Sequence, residues 1–395
     1  MIDRYDVAVV GAGPGGSSAA TFLARAGRRV LLLDKFDFPR DKTCGDCLSP
    51  RALGVLRDMG CLDAVVALGH ATPNMRVVAP WGWSVGARLP QVHEWPDYAV
   101  VVPRLTLDDA LRQCAVTAGA DFRPRVTVKF VSADDQGITL TGSTPDGTPT
   151  YRARAAIIAT GAATRLLLTM GVLRGPPPVM LAARAYFEGM SDLRDAVEFR
   201  FDHVPLPGYG WVFPTSATSA NVGAGFVRTP TNAHRMPDTA QAAYDHFIAS
   251  PPLRAVLAGA KQVGPVKGYP LRTDFVTAPT TAPCTLLVGE AAGLVNPLTG
   301  EGIDYALETG QLAARHLEAM LADDDLSATR LDAYDRDLRA RYQDLFVFCH
   351  RVQARYMHPL AMNLLIAAAN LRPDLKNRLV RTVLGLRQPP FEHNR

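Results

Sequence analysis

The sequence predicts an α/β protein of three parts: a Rossmann-like nucleotide-binding domain, an inserted antiparallel-sheet domain carrying the substrate pocket, and a helical C-terminal region. Three observations carry this. Residues 5–20, Tyr-Asp-Val-Ala-Val-Val-Gly-Ala-Gly-Pro-Gly-Gly-Ser-Ser-Ala-Ala, run a buried strand into a glycine turn and a helix. Most segments between residues 176 and 227 alternate in the β manner, and beyond residue 326 only helical sequence remains. The expected boundaries are 1–75, 99–175 and 268–325 for the nucleotide domain, 76–98 and 176–267 for the sheet domain, and 326–395 for the helices.

The opening unit is read first. Gly11, Gly13 and Gly16 have G-x-G-x-x-G spacing. Gly11 allows the tight turn, Gly13 lets a pyrophosphate approach the backbone, and Gly16 lets the helix pack close to the strand. The helix, from Pro14 to about residue 26, aims its N-terminal N–H groups at the phosphates. A second strand, 29–34, ends in Asp34, the acid placed to accept from a ribose hydroxyl. The motif leaves open which dinucleotide binds.

A polar loop at 35–49 precedes a helix at 50–59. Trp81, Trp83 and Trp95 fall in a stretch reading as a hairpin, and they are candidates to complete an aromatic wall. A strand at 98–102 leads to a helix at 105–118; strands follow at 126–140 and 152–159, the last ending in Ala159-Thr160-Gly161. Further strands are expected at 180–187, 197–201, 210–213 and 220–226, and helical sequence from 239 to 259. A strand at 285–288 meets Gly289-Glu290, a loop holds Asn296-Pro297, and Gly300-Glu301-Gly302 opens a long helix. Backbone N–H groups at that helix start suit a developing negative charge.

Composition excludes several classes. Hydrophobic content of 48% and charged content of 20% are those of an ordinary globular protein, and a net charge of +4 argues for no nucleic-acid partner. The six cysteines are scattered and expected reduced, in a cytoplasmic protein without a leader. Cys44-Gly-Asp-Cys47 lacks a second pair or nearby histidine, so no metal is expected. No apolar run reaches membrane-spanning length. Residues 374–387 are basic on one face and apolar on the other; they either pack on the body or give peripheral contact with a membrane.

Taken together, the N-terminal motif, Ala159-Thr160-Gly161 and the 289–302 stretch resemble FAD-dependent oxidoreductases of the aromatic-hydroxylase (glutathione-reductase-like) fold. Within it, Lys42-Thr-Cys-Gly-Asp-Cys-Leu-Ser-Pro50, Tyr209-Gly-Trp-Val-Phe-Pro214 and Asn296-Pro-Leu-Thr-Gly-Glu-Gly302 resemble the geranylgeranyl reductase family, over roughly residues 3 to 325. The chain departs from the hydroxylases at Thr160, where they carry Asp, and at Glu290, one methylene longer than their Asp.

The resemblance implies FAD, with NADPH or another reductant, including an electron-donor protein, as electron source. It assigns to the cofactor Gly11, Gly13, Pro14, Gly15, Gly16, Asp34, Lys35, Cys44, Gly45, Arg104, Thr160, Gly161, Gly289, Glu290, Pro297, Gly300, Glu301, Gly302 and Ile303. It implies Cys44, Tyr209 and Trp211 as catalytic residues, with Cys44, Tyr209 or water as proton donor and an apolar or aromatic small-molecule substrate. The reaction implied is reduction of carbon–carbon double bonds of an isoprenoid or polyketide-like compound by hydride from flavin N5. The alternatives are a tailoring monooxygenase, halogenase or oxidase, and a non-redox cyclase using FAD as scaffold. Against a halogenase, which needs a catalytic lysine, stands the setting of Lys42, the one lysine of six near the relevant loop.

Overall fold

The computed structural model describes residues 4–229, 232–355 and 357–386; Arg387, the end of the basic segment, lies outside them. Its first sheet has eight strands. Val30–Leu33, Arg4–Val10, Thr150–Ile158 and Thr285–Leu287 lie side by side and parallel, with Asp121–Arg123 beyond Val30–Leu33. The register sets Val7 between Val30 and Ala155, both buried, as befits a strand covered on both faces. Thr127–Asp134 and Gly137–Ser143 extend the sheet as an antiparallel pair.

The helix Pro14–Arg25 starts at the C-terminal end of Arg4–Val10, with Gly13 as its N-cap. It packs on the long helix Ile303–Ala322 at backbone distance: a Cβ on Gly310 would lie 2.4 Å from the Gly15 carbonyl oxygen. The Ser18 hydroxyl donates to the Leu307 carbonyl across that seam at 2.8 Å. The starts of the two helices are thereby held as one unit.

The second sheet has seven strands, in the order Lys261–Arg272, Val179–Glu188, Ser219–Val227, Gly208–Pro214, Val197–Arg200, Asn74–Val78, Ser84–Arg88. The expected hairpin is present, but it joins this sheet through a parallel pairing with Val197–Arg200, so the sheet is not wholly antiparallel. The strand Lys261–Arg272 was not expected. Its Pro265 and Pro270 argue against a central strand, and it is an edge strand, where a missing N–H is tolerated.

One face of this sheet carries Tyr209, Trp211 and Phe213. Their cross-strand partners are Gly225, Gly223 and Asn221, and a Cβ on Gly223 would lie 2.2 Å from the Trp211 ring. Small residues opposite large ones let the aromatics lie flat along the sheet. The other face packs on the helices Ala240–Ile248 and Pro251–Val256, where Phe247 covers Gly210. A small third sheet, Cys47–Leu48, Ala99–Val101 and His70–Thr72, anchors the loop between the two large ones.

Ala328–Arg355 packs beside Ile303–Ala322, and Pro359–Leu371 and Pro373–Val383 close over the hairpin end of the second sheet. Trp81 and Trp83 are solvent-exposed and Trp95 is buried against Gly54. None of the three faces the cavity between the sheets, which corrects the aromatic-wall expectation.

Candidate functional site

A cavity of about 610 Å³ runs between the two large sheets, within the ~300–1,000 Å³ range of cofactor and small-molecule sites. One end is polar. Gly11, Gly13, Pro14 and Gly15 line it with Asp34, Lys35 and Arg40. Gly11 has φ +108°, and a Cβ there would sit 2.3 Å from the Ala159 carbonyl oxygen. Gly16 does not line the cavity; a Cβ on it would lie 1.8 Å from the Gly11 carbonyl oxygen, so its role is the close packing of helix on strand. Asp34 accepts from the Ala12 N–H at 2.8 Å and the Phe36 N–H at 2.9 Å, so the acid also holds the glycine turn shut.

Arg40 and Asp108 escaped the sequence reading. Arg40 pairs with Asp108 at 2.8 Å, and its guanidinium lies 3.5 Å from where a Gly13 Cβ would stand. Asp108 in turn holds Arg104 through two bonds of 2.5 and 2.7 Å. Burial opposes the Arg104 charge, but Asp108 outweighs it and the guanidinium stays firmly protonated. The Cys44 side chain lies near enough to Arg104 to add to the hold on its charge. An ionic chain therefore runs from the glycine turn to Cys44.

Midway, Thr160, Gly161, Gly289 and Glu290 line the cavity. Glu290 accepts from the Arg272 N–H at 3.0 Å and from Lys42 Nζ at 3.1 Å. The Lys42 ammonium also lies 5.3 Å from the centre of the Tyr269 ring. Lys267, also in the lining, is paired with Asp41 at 2.7 Å.

The far end is apolar. Tyr209, Trp211 and Phe213 form its wall with Met180, Ala182 and Leu271, beside Cys44, Gly45, Gly300, Gly302 and Ile303. Gly302 is the N-cap of Ile303–Ala322, so that helix presents its free N–H groups here. Pro297 and Glu301, assigned to the cofactor by the resemblance, are not among the residues that line the cavity. The Pro297 carbonyl accepts from Gln353 Nε2, tying the loop to Ala328–Arg355. The Glu301 carboxyl is turned away, next to Gly385 and Asp304. Burial and then the Asp304 charge push it well above the usual carboxylate range.

Tyr209 lines the cavity with its hydroxyl already engaged. Its hydroxyl donates to the Thr299 carbonyl, and burial, with Cys44 next, raises its pKa. It pins the 296–300 loop, and burial favours its neutral form. Trp211 is fixed differently: its Nε1–H donates to Asn221 Oδ1 at 2.8 Å. The Asn221 amide nitrogen donates to the Cys44 carbonyl at 2.7 Å and to Asp46 at 2.8 Å. Asn221 thus joins the aromatic wall to the loop bearing Cys44.

Asp46 is fully buried, at φ +67°, and also accepts from the Tyr186 hydroxyl at 2.5 Å. Burial pushes its pKa up to about 6, against the bonds from Tyr186 and Asn221 and the charges of Arg184 and Arg104. The folded value lies above the unfolded one, ~3.9. Stability from neutral Asp46 is therefore full below about pH 4 and lost as pH rises through about 6. Its Oδ1 has no hydrogen-bond partner, so an amide nitrogen at that place breaks no existing bond. Asp46→Asn is expected to flatten the pH 4–6 region of the stability curve, removing a fall of about 2–3 kcal/mol. Denaturant melts from pH 4 to 8 check this; parallel curves for the two proteins would refute it.

These residues fit a flavin dinucleotide. Gly13 leaves a cradle that a side chain would fill, Arg40 stands beside it, and a free helix start faces an aromatic wall at the other end.

Comparison with known proteins agrees. The family model described as FAD binding domain matches residues 4–348. The menaquinone reductase of Mycobacterium tuberculosis is 36% identical over 324 residues, 80% of this chain and 77% of that protein. A digeranylgeranylglycerophospholipid reductase of Methanopyrus kandleri is 31% identical over 353 residues, 87% and 88% of the two chains. A geranylgeranyl bacteriochlorophyll reductase-like structure from Thermoplasma acidophilum superposes with a TM-score of 0.80 at 23% identity, covering 93% of this chain and 91% of the other.

Proposed function

The chain belongs to the FAD binding domain family and is an FAD-dependent oxidoreductase of the geranylgeranyl reductase and menaquinone reductase type, and from that premise we propose that it reduces carbon–carbon double bonds of an isoprenoid substrate. The observation that carries this reading is the division of the cavity: charges gather at the nucleotide end and midway, and the Tyr209, Trp211, Phe213, Met180 and Leu271 wall at the other end matches an unfunctionalised hydrocarbon. The geranylgeranyl chain named in the relative from Methanopyrus kandleri is an isoprenoid of that kind. When bound, FAD would supply the hydride, from N5 of its reduced ring, with NADPH or another reductant as the external donor.

The protein's residues do the rest. The aromatic wall excludes water and holds the alkene. Trp211 keeps its orientation because Asn221 holds its N–H. Reduction adds one hydrogen to each alkene carbon, so a proton must reach the carbon opposite the one taking hydride. Cys44 lines the cavity beside that wall, and the Arg104 cation faces its side chain, so charge left on sulfur has a counter-ion. The free N–H groups ahead of Ile303–Ala322 face negative charge at the ring end.

Anaerobic mixing of the pre-reduced holoenzyme with geranylgeranyl-bearing lipids and isoprenoid quinones tests the reading. Flavin reoxidation with a product two hydrogens richer is expected. Reoxidation by oxygen alone, giving an oxygenated or halogenated product, would sink it. Cys44→Ser is expected to retain FAD and to lower turnover at least tenfold; unchanged turnover removes Cys44 from proton delivery.

A further inference from the structure

We propose that the protein docks on an anionic membrane through the helix Pro359–Leu371 and the tip of the adjoining hairpin. This surface stands on its own observations and holds whichever reaction the cavity performs. Pro359–Leu371, PLAMNLLIAAANL, contains no charged residue. It turns Asn363, Ile366 and Ala369 inward and leaves Leu360, Leu364, Leu365 and Leu371 between 46% and 83% exposed. A surface helix ordinarily shows charge to water on its outer face. This one shows leucine.

The tryptophans at the hairpin tip extend the patch. Trp81 and Trp83 are 57% and 49% exposed, their rings edge to face at 6.2 Å. They adjoin the helix, since the Trp81 N–H donates to Asn363 Oδ1 at 3.2 Å and Asn370 Nδ2 donates to the Ser84 carbonyl at 3.0 Å. Exposed leucines flanked by a tryptophan pair suit the boundary between headgroups and acyl chains. Among the described residues no helix is long and apolar enough to cross a bilayer, so the contact is peripheral.

Charge decides between a lipid surface and a second protein copy. The segment that follows carries Arg372, Lys376, Arg378 and Arg381 against a single acid, Asp374, which is paired with Arg372. Arg378 and Arg381 line a surface cavity with Gln91 and His93, and among the described residues neither meets a carboxylate. Such a cationic flank repels its own copy and attracts anionic headgroups. Of the two readings the sequence offers for residues 374–387, packing on the body describes their apolar side. The apolar side of Pro373–Val383 is already used: Val380 and Leu384 are buried in the core of the second sheet, with Leu375, Leu379 and Val383 packed against it. Its basic side remains as the flank.

Liposome flotation of the full-length holoenzyme tests this. The protein is expected to float with vesicles of phosphatidylcholine containing phosphatidylglycerol, and to release as salt rises. The triple variant Trp81→Ser, Leu364→Ser, Leu371→Ser is expected to lose binding at least tenfold while keeping its flavin content and circular dichroism. Arg378→Glu with Arg381→Glu is expected to remove the preference for anionic over neutral vesicles. Failure of the parent to float on anionic vesicles, or flotation of the triple variant equal to the parent's, would overturn the proposal. So would a parent dimer in analytical ultracentrifugation that the triple variant breaks, because a second copy would then cover the patch.

Discussion

Gly13→Val is expected to yield a folded but colourless protein. Gly13 has φ −79° and ψ −171°, a backbone that valine adopts readily. A Cβ there meets nothing nearer than 3.5 Å, so no protein atom resists it. The methyl groups instead enter the polar end of the cavity, beside Arg40, where the pyrophosphate must approach the N-terminus of Pro14–Arg25. Affinity for FAD should fall at least a hundredfold, about 2.7 kcal/mol. The contrast with its neighbours makes the test informative. At Gly11, φ +108° and a Cβ 2.3 Å from the Ala159 oxygen oppose any side chain, and at Gly16 the clash is with Gly11 itself. Substitution at either damages the fold before the site. Flavin absorbance and thermal melting of purified Gly13→Val separate the two cases; full flavin content with an unchanged melt would remove the pyrophosphate from this position.

Glu308→Gln is expected to cost about 3–5 kcal/mol of stability, a large share of the ~5–15 kcal/mol that holds a typical protein folded. Arg51 is fully buried and donates to both Glu308 oxygens, at 2.8 and 2.5 Å. Its guanidinium lies 4.5 Å from the centre of the Tyr305 ring and 5.5 Å from that of Tyr342, and it also donates to the Gly385 carbonyl at 3.2 Å. Tyr342 donates to Glu308 as well. Neutralising the carboxyl leaves a buried cation without its counter-charge. Burial pushes the Glu308 pKa up, but Arg51, with help from Arg341 and Tyr342, outweighs it and the net shift is downward. A lowered folded value means that this contribution is present above the unfolded pKa of ~4.3 and is lost as pH falls through the folded one. Urea melts at pH 7 and pH 4 measure both effects. Arg51→Met combined with Glu308→Leu should recover much of the loss, because it leaves no unpaired charge. A loss below 1 kcal/mol for Glu308→Gln at pH 7 would contradict the buried pair.

The parts of the site that were legible in the sequence are local. Gly11, Gly13 and Asp34 belong to one strand–turn–helix–strand unit, and their spacing follows from the geometry of that unit alone. Tyr209 and Trp211 stand two apart on one strand, so a shared face is implied by the period of two. What escaped is made between distant segments. Asn221 is unremarkable in its own strand and acquires a role only where Cys44, Asp46 and Trp211 converge on it. Arg40 and Asp108 meet across 68 residues, and Lys42 and Glu290 across 248. The strand Lys261–Arg272 was hidden by its prolines, which only an edge position excuses.

The basic C-terminal segment shows the same limit from the other side. Its amphipathic pattern is real, yet a pattern states only that one face is apolar, not what covers it; packing on the second sheet answered that and left Pro359–Leu371 as the open face. By itself, then, the sequence determined the class of fold, the nucleotide turn with its acid, and an aromatic strand, because each is written in short-range spacing that backbone geometry enforces. Tertiary structure decided which charges pair, what the Tyr209 hydroxyl bonds to, what orients Cys44 and Trp211, and which helix faces outward. Those depend on burial and on partners far away in the chain, and neither has a signature in the residues nearby.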